Sequence, residues 1–333
     1  MMAPILEVKN LKTCFHGKDG IVAAVDGVSL SVEPGKTLGI VGESGCGKSV
    51  TALSILKLLP SKTAHIEPGS SIMLDGNELS GMTGAEMCRI RGREISMIFQ
   101  DPMTSLNPVM TIGSQMAEAF RAHTKMSKGE AWKRSVEMLA KVGIPAPEKR
   151  AGEYPHQLSG GMKQRVMIAM ALSQRPKVLI ADEPTTALDV TIQAQILDLM
   201  EHLKREFNTA ILLITHDMGV VAEMADEVIV MYAGQVMEQA DAKALFKNPL
   251  HPYTKGLLAS IPRLDENVER LHTINGNVPN LNEMPAGCRF STRCSEAREC
   301  CRKNRPEAYD VNGHLVRCFK YSEEGREWIS NHC

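Results

Sequence analysis

The sequence lacks an excess of charge of either sign and lacks any long apolar run. Lys and Arg number 38 and Asp and Glu number 39, so the net charge is −1. Such a balance argues against binding nucleic acid by bulk positive charge. The longest apolar runs, such as Val166–Leu172 and Ala210–Ile214, are far shorter than the ~20 residues that a membrane-spanning helix needs. The opening residues, MMAPILEVKN, lack the apolar stretch of a secretory signal. These absences favour a soluble cytoplasmic chain, which another protein must hold if it works at a membrane.

The composition is that of a folded globular protein with an unusual C-terminal region. Apolar residues make up 43% and charged residues 23% of the 333 residues, which disfavours disorder and predicts about two domains. The nine cysteines are an odd number, and six of them lie close to the C-terminus: Cys288, Cys294, Cys300, Cys301, Cys318 and Cys333. In a reducing compartment such a cluster indicates metal binding before disulfides.

Alternating apolar strands and helices predict an open α/β sheet. Short continuous apolar runs at Thr37–Gly42, Val178–Asp182 and Ala210–Thr215 are typical of strands that are covered on both faces. A helix is expected from Lys48 to Leu59, since Pro60 ends it. Between residues 86 and 170, approximately, helical patterns dominate and predict a helical insertion in the sheet protein.

The segment GESGCGKS, residues 42–49, matches the phosphate-binding pattern G-x-x-x-x-G-K-[ST] between a predicted strand and a predicted helix. Glycines let the backbone turn its N–H groups toward phosphate oxygens, and the helix N-terminus adds positive potential. We expect Lys48 to reach the β- and γ-phosphates and the Ser49 hydroxyl to bind Mg²⁺. A chance glycine-rich turn is the alternative, and the strand–loop–helix context argues against it.

Two further segments favour nucleotide hydrolysis. The strand VLIADEP ends in Asp182, which can hold Mg²⁺, and Glu183, which can polarise the attacking water. A solvated acidic pair at a strand end is the simpler interpretation of these two residues alone. The loop LSGGM, with Ser159 and two glycines, opens a helix and offers a second anion site, or merely an ordinary N-cap.

With these motifs in this order, the chain resembles the ATP-binding subunits of ABC transporters over residues 5–245, although Met162 stands where many members have Gln. The resemblance implies a P-loop NTPase core of the RecA type with an antiparallel β subdomain and a helical subdomain. It implies Glu183, His216 and Gln100 as catalytic residues, TALD as the D-loop, and Ser49, Gln100 and Asp182 around Mg²⁺. The implied ATP-binding residues are Phe15, Gly42, Glu43, Ser44, Gly45, Cys46, Gly47, Lys48, Ser49, Gln100, Asp182, Ser159, Gly160 and Gly161. Taken alone, Phe15 could be a core aromatic, His216 a structural histidine and Gln100 a strand cap.

Two segments, 100–118 and NPLHPYTKGLLASIP at 248–262, resemble the dipeptide and oligopeptide importers of this family. That resemblance implies a second ATPase subunit as partner in a heterodimer, or a homodimer in vitro, and two transmembrane permease subunits. It further implies an extracytoplasmic peptide-binding protein as an indirect partner, no nucleic acid, and a peripheral place on the cytoplasmic face of the membrane. The expected domains are residues 1–245 and 246–333. We expect the permease to contact the stretch after Gln100, including Leu106 and Met110. An importer of nickel, glutathione or a sugar, and a soluble ABC ATPase, are the alternatives.

The cysteine spacing C-x5-C-x6-C-x16-C is neither that of a zinc ribbon nor that of a ferredoxin, so spacing alone leaves zinc, another metal or simple buried thiols open. The resemblance to peptide-importer ATPases implies a 4Fe–4S cluster on Cys288, Cys294, Cys301 and Cys318, with Cys300 as a possible replacement for Cys301. Basic residues that suit an anionic cluster crowd the same stretch; they are Arg289, Arg293, Arg298, Arg302, Lys303 and Arg305. A nucleic-acid patch is the alternative for these basic residues, but interleaved aromatics are lacking apart from Phe290.

Overall fold

The computed structural model describes residues 3–17, 20–101, 105–186, 188–261 and 273–323. The chain forms two compact units. The first consists of Met1–Leu6, Val32–Thr37 and Leu74–Leu213, and the second of Glu7–Ser31, Leu38–Met73 and Ile214–Cys333. Within the described ranges, no helix combines the length and apolar character that crossing a bilayer requires.

The strands lie in both units. They are β1 Leu6–Gly17, β2 Gly20–Val32, β3 Thr37–Val41, β4 Ala64–Ile66, β5 Ser71–Leu74, β6 Asn77–Glu78, β7 Ile95–Ile98, β8 Val178–Asp182, β9 Ala210–Ile214, β10 Glu227–Tyr232, β11 Gln235–Asp241, β12 Tyr309–Val311 and β13 His314–Val316. The short buried strands β3, β8 and β9 confirm the predictions made from continuous apolar runs.

The helices are concentrated in the expected insertion and after the core strands. They are α1 Lys48–Ile55, α2 Gly84–Ile90, α3 Ile112–Arg121, α4 Lys128–Lys141, α5 Pro147–Ala151, α6 Gly160–Leu172, α7 Val190–Phe207, α8 Met218–Met224, α9 Ala242–Lys247, α10 Pro252–Ala259 and α11 Glu299–Lys303. Short 3-10 turns occur at Pro155–Gln157, Leu281–Glu283 and Phe319–Tyr321.

In the first unit, three strands follow one another in the order β9, β8, β7, and β7 pairs with β8 in parallel, Ile95 opposite Val178. All five residues of β8 are buried, so the strand is covered on both faces and ends at Asp182. Helices α3 to α6 form the helical part of this unit, and α3 and α4 each begin at a hydroxyl side chain that caps the helix. This unit therefore places Asp182 and Glu183 at a strand end.

In the second unit, the strand order is β12, β13, β11, β10, β3. Strands β3 and β10 are parallel, and the pairs β10–β11, β11–β13 and β12–β13 are antiparallel. A separate sheet holds β2, β1 and β5, with β4 antiparallel to β1. The C-terminal strand β13 pairs Val316 with Glu238 of β11, so the region beyond residue 300 extends the sheet that also carries β3.

Helix α1 is shorter than the sequence predicts. The expected end was Leu59, whereas the last helical residue is Ile55 and Leu56 is the C-cap. Lys57 has a positive φ of 51°, and its N–H bonds to the Ser54 carbonyl, so the chain leaves the helix before the proline is reached. The prediction was wrong because Pro60 sets only the last residue at which a helix can end, not the residue at which it does.

A buried carboxylate, Glu238 of β11, fixes the C-terminal region to the second unit. Its side chain is fully buried. Oε1 accepts from the Leu250 N–H at 2.6 Å and lies 2.6 Å from His314 Nε2, which must donate because a carboxylate oxygen only accepts. Oε2 accepts from the His251 N–H at 2.9 Å. One side chain thus ties together β11, the N-cap of α10 and β13.

We expect Glu238→Ala to lower the free energy of unfolding by about 3 kcal/mol, since it leaves buried donors without acceptors. Urea unfolding followed by circular dichroism measures the change. Glu299→Ala is a suitable control, because Glu299 is 80% exposed in its pair with Lys303 and an exposed pair contributes little. Equal unfolding midpoints for the two variants would contradict the role assigned to Glu238.

Candidate functional site

The loop Gly42–Ser49 joins β3 to α1, as predicted, and two of its glycines are required sterically. Gly42 has a φ of 152°, and a Cβ there would lie 2.2 Å from the Met231 carbonyl oxygen. Gly47 has a φ of 104°, and a Cβ there would lie 2.7 Å from the Ala24 carbonyl oxygen. These two glycines therefore allow the loop to turn and also allow other backbone segments to approach it closely.

Lys48, the first residue of α1, is directed back over the loop. Its ammonium group donates to the carbonyl oxygens of Gly42 at 2.6 Å and Glu43 at 3.1 Å, and it lies 3.8 Å from Cys46 Sγ. Lys48 is only 6% exposed. Burial raises the pKa of the Cys46 thiol, so this side chain stays neutral beside the cation. The loop thus holds a buried positive charge where phosphate oxygens are expected.

In the first unit, the structure brings Gln100 and Glu183 together. Asp182 is 4% exposed at the end of β8, and Glu183 follows it with a positive φ of 48°, a strained conformation for a residue with a side chain. Glu183 Oε2 accepts from Gln100 Nε2 at 3.0 Å and from Thr186 Oγ1 at 2.9 Å. Backbone strain concentrates at functional sites, and here it aims a carboxylate that two donors orient.

The contact of Thr186 with Glu183 was not predicted from the sequence. Thr186 was recognised only as part of the TALD segment, in which Ala187 falls outside the described residues. Its hydroxyl lies three residues beyond the carboxylate it contacts, and this short spacing is the sequence signal that could have identified the pair.

The LSGGM loop begins α6, and Ser159 is its N-cap, with Oγ accepting from the Met162 N–H at 3.3 Å. A Cβ on Gly161 would lie 2.8 Å from Ile192 Cγ2, whereas Gly160 faces open space. A cavity in the first unit is lined by Ser159, Gly160 and Gly161 together with Asp189, the N-cap of α7. Ser159 thus caps the helix, which was the simpler interpretation of this loop, and two helix N-termini open onto one cavity.

Phe15 and His216 both lie in the second unit. Phe15 lies half-buried on β1, opposite Ala64 of β4. His216 is exposed in the turn between β9 and α8, next to the N-cap Asp217. Exposure disfavours a purely structural role for His216 in the core.

The expectation for Leu106 was wrong. Leu106 is 2% exposed, so its side chain belongs to the core of the helical part and is not available to a partner. Val109, by contrast, is 79% exposed. Residues 102–104 of the same stretch lie outside the described residues. The buried side chain of Gln115 holds the loop, since it accepts from the Asn107 N–H and donates to the carbonyls of Asn107 and Met110.

Four cysteines of the C-terminal region line one cavity of the second unit. They are Cys288, Cys294, Cys301 and Cys318. Cys300, the alternative to Cys301, is exposed and does not line this cavity. The structure therefore groups the predicted four and not the variant set with Cys300.

Burial sets the protonation of two of these thiols, Cys294 and Cys318. It raises the pKa of Cys294 and of Cys318 to about 11, with a further contribution from the neighbouring thiols. As free thiols they are therefore protonated at neutral pH, and a bound metal would displace the protons. Among the described side chains, no group of three or more His, Cys, Asp or Glu is arranged to hold a metal ion.

The basic residues near these cysteines are mostly engaged elsewhere. Arg298 lines the cavity. Arg289 binds Asp26 and the Ala233 carbonyl, and Arg293 binds Glu43. Of the six basic residues named from the sequence, Arg298 is thus the one that lines the cavity, where Lys320 joins it, while Arg289 and Arg293 connect the C-terminal region to the rest of the unit.

Comparisons with known proteins identify the family of this chain. The model of the family ABC transporter matches residues 25–186, and that of the oligopeptide/dipeptide transporter C-terminal region matches residues 237–301. The oligopeptide transport ATP-binding protein AppD of Bacillus subtilis is 55% identical over 98% of this chain and 99% of its own length. The oligopeptide transport ATP-binding protein OppD of Escherichia coli is 52% identical over 96% and 94%, respectively.

Solved structures show the same fold. The chain is similar to the ATP-binding cassette MJ0796, solved as a dimer in a post-hydrolysis state bound to ADP and Pi. The TM-score is 0.64 with 28% identity, over 71% of this chain and 98% of that one. A second match is the cbiO1 subunit of the transporter complex cbiONQ from Clostridium perfringens, with a TM-score of 0.62 and 29% identity over 74% and 92%.

Proposed function

Because the chain belongs to the family of oligopeptide transport ATP-binding proteins, we propose that it binds and hydrolyses ATP to energise import of di- and oligopeptides across the cytoplasmic membrane. The observation that carries the proposal is a P-loop with a buried lysine in the same compact unit as the C-terminal region that the peptide-transporter model matches. In that unit the Tyr253 hydroxyl accepts from the Glu43 N–H of the P-loop at 2.9 Å.

We assign the cassette to residues 1–245, with its helical subdomain at about 86–170, and the peptide-importer extension to 246–333. The chain pairs with a second ATPase subunit beneath two transmembrane permease subunits, which an extracytoplasmic peptide-binding protein supplies. It is therefore peripheral on the cytoplasmic face of the membrane. Exposed Val109, in the loop that Gln115 holds, supports a permease contact after Gln100.

In the proposed mechanism the P-loop amides and Lys48 bind the triphosphate, and Phe15 stacks on the adenine. Ser49, Gln100 and Asp182 offer hydroxyl, amide and carboxylate oxygens, which are the ligands that Mg²⁺ prefers. Mg²⁺, when bound, neutralises charge that develops on the phosphate oxygens. Glu183 takes a proton from the attacking water, and His216 holds the γ-phosphate side of the site. The two donors on Glu183 support this role because they fix the carboxylate before the substrate arrives.

The second chain contributes its Ser159, Gly160 and Gly161 to the γ-phosphate of the first. Their position at the N-terminus of α6 supports this role, since backbone N–H groups at a helix N-terminus favour anions, and Gly160 leaves space for a ligand. ATP then binds the closed pair more tightly than the open pair, and this difference in affinity drives closure. Loss of the γ-phosphate removes the contact and releases the pair.

We further propose that Cys288, Cys294, Cys301 and Cys318 hold a 4Fe–4S cluster. A single zinc ion binds four sulfurs, each about 2.3 Å from the metal. In a cubane each of the four irons takes one thiolate, so the four cysteine sulfurs lie farther from one another. The observation that supports this proposal is that the four cysteines line one cavity. The cluster would link four points of a loop-rich segment and so stabilise it.

The test is co-purification with the neighbouring membrane proteins and reconstitution in lipid vesicles. ATPase activity is measured with binding protein alone, with peptide-loaded binding protein, and with nickel or glutathione in place of peptide. We expect stimulation by peptide. Stimulation by nickel or glutathione alone would favour another importer of this branch. Hydrolysis by a chain that binds no permease would favour a soluble ABC ATPase.

A further inference from the structure

The P-loop residue Glu43 is contacted at each of its polar groups. Its N–H donates to the Tyr253 hydroxyl at 2.9 Å, and its carbonyl oxygen accepts from Lys48 Nζ at 3.1 Å. Its carboxylate accepts two N–H bonds from Arg293, Nη2 to Oε1 at 3.0 Å and Nη1 to Oε2 at 2.5 Å. Two of these three partners come from the C-terminal region, about 210 and 250 residues away in sequence.

Both C-terminal partners are themselves fixed. Tyr253 is fully buried, and its ring packs against Tyr232 and Phe290, with centroids 4.7 and 5.3 Å away. The Arg293 side chain is 4% exposed and lies over the Tyr232 ring at 5.7 Å. Arg293 also donates to the carbonyl oxygens of residues 274 and 275. The aromatic cluster thus presents a hydroxyl and a guanidinium in fixed positions to one residue of the P-loop.

We propose that Tyr253 and Arg293 are positioning residues for ATP binding, acting through Glu43; the inference rests on the proposed ATPase function. Arg293 neutralises a carboxylate that sits in the phosphate-binding loop, where an unpaired negative charge would repel the triphosphate. Tyr253 and Arg293 together hold the loop backbone in place, so binding does not have to order it. Glu43 in turn places one of the two carbonyl oxygens that Lys48 contacts.

This role makes a specific prediction about charge. Arg293→Gln removes the cation and leaves Glu43 charged, whereas the double variant Glu43→Gln, Arg293→Gln removes both charges. We expect the dissociation constant for ATP to rise about tenfold in the single variant and to recover by severalfold in the double one, because contacting charges are not additive. Arg293→Lys keeps the charge without the bidentate contact, so its dissociation constant for ATP should lie between those of the wild type and Arg293→Gln.

The experiment measures ATP binding by calorimetry and steady-state ATPase kinetics on the full chain. We expect KM for ATP to rise in Arg293→Gln and kcat to stay within about twofold, since the chemistry is carried elsewhere. Lys303→Gln is the matched control, because Lys303 is an exposed cation of the same region that pairs with Glu299. Tyr253→Phe keeps the ring packing and removes only the hydroxyl. It tests the inference even if the arginine variants do not fold.

Several results would overturn the inference. One is an ATP dissociation constant in Arg293→Gln and Tyr253→Phe that equals that of Lys303→Gln. Another is a fall in kcat at unchanged KM, which would place Arg293 in the chemical step. Should Arg293→Gln not fold, an unchanged constant in Tyr253→Phe decides against positioning. A wild-type chain that binds no ATP would instead refute the proposed ATPase function itself.

Discussion

Glu183→Gln should lower ATP turnover by roughly 10²- to 10⁴-fold while leaving ATP affinity nearly unchanged, because an amide cannot accept the proton of the attacking water. The substitution conserves shape, and a glutamine oxygen can still accept from Gln100 and Thr186 at the observed positions. Because the γ-phosphate is not removed, the closed pair of chains should accumulate in ATP.

Turnover is measured by phosphate release and pairing by analytical ultracentrifugation with Mg²⁺ and ATP. Glu206→Gln supplies the control, since it makes the same chemical change at a partly exposed carboxylate of the first unit that pairs with Lys141 and His202. Wild-type turnover in Glu183→Gln would exclude Glu183 as the catalytic carboxylate. A loss of ATP binding would show that the strained backbone at this residue, not proton transfer, is what the variant disturbs.

Local sequence was enough to predict the strands that carry the motifs. The apolar run that ends at Asp182 is short and continuous, as is typical of a strand covered on both faces. The P-loop pattern predicted the start of α1. The roles of the motif residues followed from resemblance. The local pattern did not predict two features. The end of α1 depends on the positive φ of Lys57, and the burial of Leu106 depends on how the helical part packs.

Contacts between distant residues were beyond sequence reasoning. Nothing near Glu238 indicates that its carboxylate meets His314 in strand β13, and HPYT predicted a proline-started helix without showing that its tyrosine reaches the P-loop. The basic residues near the cysteines were interpreted together as cluster counter-charges. The structure assigns Arg289 and Arg293 to acidic partners more than 240 residues away, because a guanidinium that is buried needs an anion beside it.

Protein purified without oxygen should be brown, with about four irons per chain and broad absorption near 400 nm, if the four-cysteine cavity holds a 4Fe–4S cluster. Cys294→Ser should lose the iron and the colour, because serine cannot replace a thiolate at one corner of the cluster. The segment from residue 273 to 323 should then become sensitive to protease, since the link between its four points is gone.

Cys300→Ser is the decisive control, because Cys300 adjoins Cys301 in sequence but is exposed and lies outside the cavity lining. It should keep full iron content, whereas Cys301→Ser should match Cys294→Ser. If Cys300→Ser loses iron and Cys301→Ser retains it, Cys300 and not Cys301 is the third ligand. Colourless protein with one zinc per chain would refute the cluster and would favour a four-thiolate zinc site instead.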